Sequence, residues 1–426
     1  MTQFSDRTLA ETLDQTDTLS SYRSRFYIQD PELIYLDGNS LGRLLMKSSD
    51  SIAETTHEAW GKDLIASWNK GWYELPLTLG RQLATLVGAS DDEVIIADST
   101  SVNLYKLADA ALRLQKDRKR IVSDTLNFPT DLYILQGIIK NLEQGHELVL
   151  AGSSDDIHPN IDELESLIDE NTALVVLSLV AFKSGYLYDM DRINKKAHKN
   201  GALVIWDLSH ATGALPVNLN DCEADMAIGC TYKYLNGGPG SPAFLFVRKD
   251  LQNLLVTPIQ GWFGELNPFD FRLEYREADG IRKFLTGTPP IISMSAIGPG
   301  IELLLEAGIE NIREKSVRQS QFLIDLISEM LLPYGFTLGS PAERNLRGSH
   351  VTIKHPEAYR ICQALIQPQK GSVRIIPDFR EPNNIRFGLT PLYTSYLDIW
   401  LAVSRTREIV ENGEHLEFES QRLKVT

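Results

Sequence analysis

The chain reads as an α/β protein: a mostly parallel sheet covered by helices on both faces, followed by a smaller α+β domain. Three observations predict this. Short apolar runs alternate with amphipathic helical patterns between Glu93 and Val247, which is the signature of strand–helix–strand units. The runs Thr172–Ser178 and Ala202–Asp207 are apolar almost throughout, as strands buried on both faces are. From about Gly298 the pattern changes to a long helical stretch and then short strands spaced among helices.

The elements follow in order. Residues 1–30 are polar and helical, with Leu9, Leu13 and Leu19 as sparse apolar positions. Ile34–Gly42 is a short strand running into a glycine-bounded turn. His57–Leu86 carries Trp60, Trp68, Trp72 and Tyr73 at helical spacings, which predicts core aromatics. Glu93–Ser101 is a strand ending in hydroxyls, and Val102–Leu114 a helix with the stripe Leu104, Leu107, Ala108 and Ala111. A strand at Arg120–Ser123 leads to Asn127–Asp131, which opens a helix to Leu142 with Pro129 in its first turn. His146–Leu150 is a strand and Ile161–Asp169 a helix. Asp191–Asn200 is a helix stopped by Gly201. Met226–Gly229 and Pro242–Val247 are strands, and Gln260–Gly264 is a tight aromatic turn. Phe284–Pro290 is a loop before one long helix reaching Leu332. Strands are expected at Gly335–Leu338, His350–Ile353, Val373–Ile376 and Asn384–Phe387, and helices at Glu357–Ile366 and Tyr396–Glu411. The expected organisation is an N-terminal segment, 1–50, contributing to the smaller domain and to the active site, a large domain over 51–305 and a small one over 306–426.

Composition narrows the function. The 426 residues are 43% hydrophobic, enough for a large core, and carry a net charge of −15. Such acidity argues against nucleic acid or an anionic membrane as partner. Cys222, Cys230 and Cys362 are an odd, sparse set without a CxxC pair, so neither a disulfide framework nor a structural zinc site is expected. The N-terminus has no basic start followed by an apolar stretch, and no run approaches the ~20 apolar residues of a membrane span. The expectation is a soluble, cytoplasmic protein without a metal.

The chemistry gathers in two stretches. The run Ala202–Asp207 ends in an acid, at the strand end where open α/β sheets hold their ligands. Lys233 follows 26 residues later, after the apolar piece Met226–Gly229 and before the glycine turn Asn236–Ser241. An acid and a lysine so placed suit pyridoxal 5'-phosphate (PLP), which needs a lysine amine for a Schiff base and an acid to keep its ring nitrogen protonated. Taken singly, Asp207 is as well explained as a cap and Lys233 as a solvated cation. Thr100 and Ser101 open a helix and offer an anion site, or a plain cap. Arg386 stands at a strand end before a proline turn, where pairing with a surface acid is the ordinary role.

Trp206-Asp-Leu-Ser-His-Ala-Thr-Gly213 and Gly229-Cys-Thr-Tyr-Lys-Tyr-Leu-Asn-Gly-Gly-Pro-Gly240 closely resemble the kynureninases, PLP enzymes of fold type I. Leu36–Gly42, Phe128–Asp131 and Arg386–Tyr393 resemble them too, and the likeness runs from about Leu33 to Trp400. It implies a PLP-dependent transferase-like large domain with a seven-stranded sheet, and hydrolysis of L-kynurenine, or 3-hydroxy-L-kynurenine, to anthranilate or 3-hydroxyanthranilate and L-alanine, in tryptophan degradation or NAD biosynthesis. It assigns catalysis to Lys233, Tyr232 and Asp207. It gives the cofactor to Thr100, Ser101, Phe128, Pro129, Thr130, Asp131, Ser178, Asp207, His210, Tyr232 and Lys233. Trp262 and Thr288 would reach the phosphate of the neighbouring subunit, which implies a homodimer with shared active sites. Arg386, Trp68, Asn39, Ser40 and Gly287 would meet the substrate. Arg347-Gly-Ser-His350 also resembles the family, without an assigned role. The segment Val180-Ala-Phe-Lys-Ser184 departs from the family's Val-Asn-Tyr-Arg-Thr, which puts local substrate contacts in question. The rivals are another PLP enzyme, such as a cysteine desulfurase or small aminotransferase, and a catalytically silent scaffold. A desulfurase needs a mobile loop cysteine, which the three cysteine contexts do not offer.

Overall fold

The computed structural model describes residues 5–369 and 372–419. Strand β1 (Ile34–Tyr35) belongs to the N-terminal segment. The central sheet is built from β2 (Val94–Ile96), β3 (Arg120–Asp124), β4 (Glu147–Ala151), β5 (Thr172–Ser178), β6 (Leu203–Asp207), β7 (Met226–Gly229) and β8 (Phe244–Val247). Its order is β2-β8-β7-β6-β5-β3-β4. Strand β8 runs antiparallel to both its neighbours, and the other pairs are parallel.

Every residue of β5 and β6 is buried, the condition that their unbroken apolar runs require. Successive side chains of a strand point to opposite faces, and here they enter two different cores. Val175, Leu177, Val204 and Trp206 pack on one side. Leu174, Val176, Leu203 and Ile205 pack on the other, against Leu104, Leu107, Ala108 and Ala111 of the helix Thr100–Leu114. Truncating one such residue, Leu104→Ala for instance, costs about 2–5 kcal/mol. This double burial makes the sheet a rigid platform, and the register sets Ser178 opposite Asp207 and Asp207 opposite Ile228. The carboxyl ends of three strands thus meet at one edge.

The second sheet is antiparallel, in the order β12-β13-β10-β9, from β9 (Thr337–Leu338), β10 (His350–Lys354), β12 (Asp378–Arg380) and β13 (Asn384–Gly388), while β11 (Ile375–Ile376) pairs with β1 instead. Its core gathers residues from the helices Ile309–Met330, Ala358–Ile366 and Tyr396–Glu411, and also Ala10, Ile34 and Leu36 from the N-terminal segment.

Three expectations change. The long helix is two, Ile297–Ala307 and Ile309–Met330, meeting at 80°. The break falls at Gly308, whose φ of +78° is a left-handed conformation that ends a helix. Trp60 is 55% exposed rather than in the core. The chain over Thr55–Asp63 winds as a π-helix, so positions chosen at 3.6-residue spacing do not share a face there. Strand β12 was not expected, because Pro377 and Pro382 break its pattern. Among the described residues no single helix is long and apolar enough to cross a membrane.

Candidate active site

Asp207 closes β6, and its Oδ1 accepts from the Ser209 amide at 2.7 Å. That bond turns the chain so that His210 faces inward. Lys233 follows β7, and its Nζ lies 3.0 Å from His210 Nε2. As an ammonium Lys233 can only donate, which makes Nε2 the acceptor and leaves the ring proton on Nδ1. Nδ1 is buried and has no partner. Burial, then the charges of Lys233 and Arg386, push the His210 pKa well down, so the imidazole is neutral. Thr231 Oγ1 anchors the glycine turn through Ser241 Oγ and the Pro242 carbonyl, both at 2.7 Å. Asn236 takes a left-handed φ of +55° there.

The Asp131 carboxyl, in the first turn of the helix Pro129–Leu142, is buried beside Asp207. Burial first, then the charge of Asp207, raise its pKa well above the usual range, and Lys233 opposes them. Two carboxyls this close cannot both ionise cheaply, so Asp131 holds a proton. That proton is shared with the Asp207 carboxylate through a side-chain hydrogen bond, and Oδ2 has no further partner. The Tyr232 hydroxyl is raised by burial and by Cys230, and it stays protonated.

Ser178 does not face open space: its hydroxyl donates to Asn127 Oδ1 at 2.6 Å. Asn127 also donates to Ser123 Oγ and the Val176 carbonyl and accepts from the Phe128 amide. Ser178 therefore fixes the turn that presents Phe128, Pro129, Thr130 and Asp131. The Phe128 ring is 41% exposed and meets Phe182 edge-on at 5.2 Å. Thr100 and Ser101 are the first two residues of their helix, capped by Ser99, so their amides carry no intrahelical bond.

The N-terminal turn joins both halves. The Gly42 amide donates to the Tyr232 carbonyl at 2.8 Å, and a Cβ at Gly42 would lie 2.3 Å from the Lys233 carbonyl oxygen. At the other end the Gly388 amide donates to the Leu36 carbonyl, and a Cβ at Gly388 would strike Asn39. Only glycine permits either approach. Asn39 and Ser40 are thereby held between Lys233 and Arg386. Arg386 is completely buried. Its Nη2 donates to Ser40 Oγ at 3.0 Å and pairs with Asp378, and its Nη1 donates to the Phe182 carbonyl. With the Asn39 amide oxygen turned toward it, Arg386 Nε donates at 2.9 Å.

The departing segment around Phe182 contacts the site through the Phe182 ring, which meets Phe128, and through backbone. The Phe182 carbonyl meets Arg386, and the Lys183 carbonyl accepts from Thr352 Oγ1 at 2.6 Å. These bonds do not depend on the replaced side chains.

Four predicted residues lie elsewhere. Trp68 packs against Trp72 and Phe263 and lines a cleft of about 640 Å³ with Tyr73, Leu266 and Phe269. The Trp262 N–H donates to the Pro268 carbonyl at 2.9 Å, while its ring is partly exposed. Gly287 and Thr288 are exposed, and a Cβ at Gly287 would meet nothing.

Sequence reasoning missed Asp37, Asn127, Asp378 and Arg380, and left His350 without a place. The His350 ring lies 5.4 Å from that of His210, fully buried. The alternation Asp378-Phe-Arg380 was a usable signal, since period two puts both charges on the face opposite Arg386.

These residues fit PLP. A lysine amine meets His210 Nε2 near the buried acids Asp207 and Asp131, His210 Nδ1 is buried without a partner, Phe128 presents a partly exposed ring, and the helix begun by Thr100 and Ser101 has free N-terminal amides for a phosphate.

Known proteins place the chain. A model described as the kynureninase C-terminal domain matches residues 312–406. A kynureninase of Pseudomonas fluorescens is 43% identical over 404 residues, 94% of both chains. One of Burkholderia mallei (strain SAVP1) is 41% identical over the same share. Among solved structures, a cysteine desulfurase of Thermococcus onnurineus NA1 has a TM-score of 0.78 at 19% identity, covering 92% of this chain and 98% of its own. A C-DES mutant with glycine covalently linked to its PLP cofactor has 0.77 at 17%, covering 91% and 99%. The structures establish the fold, and the curated relatives go further: the chain belongs to the kynureninase family, PLP-dependent hydrolases acting on a carbon–carbon bond.

Proposed function

We propose that this protein hydrolyses L-kynurenine to anthranilate and L-alanine, with the Lys233–His210–Asp207–Asp131 cluster as its catalytic centre. The observation that carries the reading is the Lys233 amine held 3.0 Å from a neutral, buried imidazole at the carboxyl edge of the sheet. Bound PLP supplies the electron sink that makes the substrate's α-proton acidic.

Lys233 would hold the cofactor and, once released by substrate, take the α-proton on Nζ. His210 Nε2 orients that amine and, being neutral, leaves it free to accept a proton. Asp207 would face the ring nitrogen and favour its charged form. Tyr232, kept protonated by burial, would be the proton donor; its ring centroid lies 5.8 Å from Lys233 Nζ. Thr100, Ser101 and Thr130 would hold the phosphate, and Arg386, Asn39 and Ser40 the α-carboxylate. Pro129 starts the helix that carries Asp131.

Trp68, Trp262, Gly287 and Thr288 act in this reading across a homodimer interface. The exposed apolar residues Phe269, Phe271 and Leu273 support a second copy on that face. The apolar Trp68 and the side-chain-free Gly287, where family members that take the 3-hydroxy form would place polar residues, favour kynurenine. Residues 51–305 form the large domain and 306–426 the small one, residues 1–50 contribute to the small domain and the active site, and the protein works in the cytoplasm.

The fold is shared with desulfurases, but the thiols are not nucleophiles. Burial raises the pKa of Cys222, Cys230 and Cys362 alike, which suppresses thiolate. Purified protein, PLP and L-kynurenine should yield anthranilate fluorescence and alanine in equal amounts. Absence of anthranilate from a protein that has bound PLP would remove the assignment.

A further inference from the structure

Arg386 has five N–H groups, and four are already engaged. Nε meets Asn39, Nη1 meets the Phe182 carbonyl, and Nη2 meets Ser40 and the Asp378 carboxylate. One N–H on Nη1 is left, whereas a carboxylate bound two-pronged needs two parallel donors. Asp378 is the directly opposed cross-strand partner of Arg386 and is itself buried. It alone among the four occupants carries a charge, and it has a second cation at hand: its Oδ2 lies 3.1 Å from Nε of Arg380, a half-exposed side chain whose Nη2 also reaches Ser40 Oγ at 3.4 Å. The same corner holds Asp37, whose Oδ1 is buried and unpartnered.

Resting on the reading of Arg386 as the α-carboxylate site, we infer that Asp378 is a place-holding carboxylate. It occupies Arg386 while the site is empty and passes to Arg380 when an amino acid's α-carboxylate arrives. The swap conserves charge pairing. Substrate brings one negative charge into a pocket that already holds two carboxylates, and Arg380 keeps Asp378 paired instead of stranded. It also excludes amines without a carboxylate, because nothing then replaces Asp378 at the fork. Asp378 and Arg380 are in this sense positioning residues acting through Arg386.

The sign of the effect separates this from a passive prop. PLP-loaded wild-type, Asp378→Asn and Arg380→Gln proteins are titrated with L-alanine, followed by the cofactor's absorbance, with ethylamine as the carboxylate-free control. Removing a competitor raises the fraction of open sites, so Asp378→Asn should lower the Kd for L-alanine by about three- to tenfold and leave ethylamine unchanged. Arg380→Gln should raise the Kd for L-alanine. An unchanged or higher Kd in Asp378→Asn overturns the inference. Should that variant not fold, Arg380→Gln decides alone, and an unchanged Kd there overturns it. A wild-type protein that does not prefer L-alanine to ethylamine removes the reading of Arg386 itself, and the inference with it. With that preference intact, the variants test Asp378 on its own.

Discussion

The carboxyl edge of the central sheet and the rim of the small sheet both keep charge away from water, in opposite ways. At the edge, His210 Nδ1 is buried and unpartnered, and Asp131 escapes ionisation by sharing a proton with Asp207. At the rim, Arg386 is buried with four of its donors engaged. An unpaired buried polar atom costs about 1–3 kcal/mol, so the first arrangement is a standing demand for a ligand. In the second the cation is already occupied, and any ligand of Arg386 must compete. One region attracts its occupant by deficit, and the other selects it by exchange.

Loss of the lysine breaks the comparison most deeply. Lys233→Ala should reduce anthranilate formation on the order of 10⁴-fold or more and abolish the absorbance of the lysine-bound cofactor. An unchanged spectrum would move the cofactor elsewhere. Arg386→Lys comes next, because an ammonium cannot copy the planar fork. It should lower kcat/KM by roughly 10²-fold, mostly through KM. A loss confined to kcat would place Arg386 in the chemistry instead.

The two acids sharpen the contrast at the edge. Asp131 already holds a proton, so Asp131→Asn replaces one neutral group by another and should change kcat/KM by less than about tenfold. Asp207→Asn removes the charge that would face the cofactor and should cost far more. Equal losses would mean that the acids share the charge.

The smallest expected effect is on stability at the rim. Burial and then Asp378 push the Asp37 carboxyl up to about 6. The folded chain therefore binds that proton at pH values where the unfolded chain has lost it. Stability from this group falls as pH rises from the ordinary carboxylate range to about 6. The urea midpoint of wild-type protein should show this decline, and Asp37→Asn should lose it. A variant with an undiminished decline would assign it to another group.

Much of the edge was legible because its physics is local. An apolar run that ends in an acid must place Asp207 at a strand end, and Gly201 or Pro129 mark helix boundaries in one residue. The alternation of β5 and β6 between two cores follows from period two. The rim was harder to read. Asp378 and Arg380 matter because β12 pairs with β13 in a register that sequence spacing does not reveal, and Asn39 reaches Arg386 only because Gly388 and Gly42 let the N-terminal turn approach. Ser178 shows the same limit from the other side. A hydroxyl at a strand end reads as a ligand contact, yet Asn127 takes it. Trp68, Trp262, Gly287 and Thr288 are a third case: only the resemblance drew them to the site, and the proposed reading brings them there from a second copy.

The account stands most directly on Lys233 as the residue that carries the cofactor. Borohydride reduction of the PLP-loaded protein, proteolysis and mass mapping would test it. The added pyridoxyl phosphate mass should appear on the peptide containing Lys233 at one per chain. Its appearance on another lysine, such as the buried Lys106 that already pairs with Asp98, would contradict the assignment of the site.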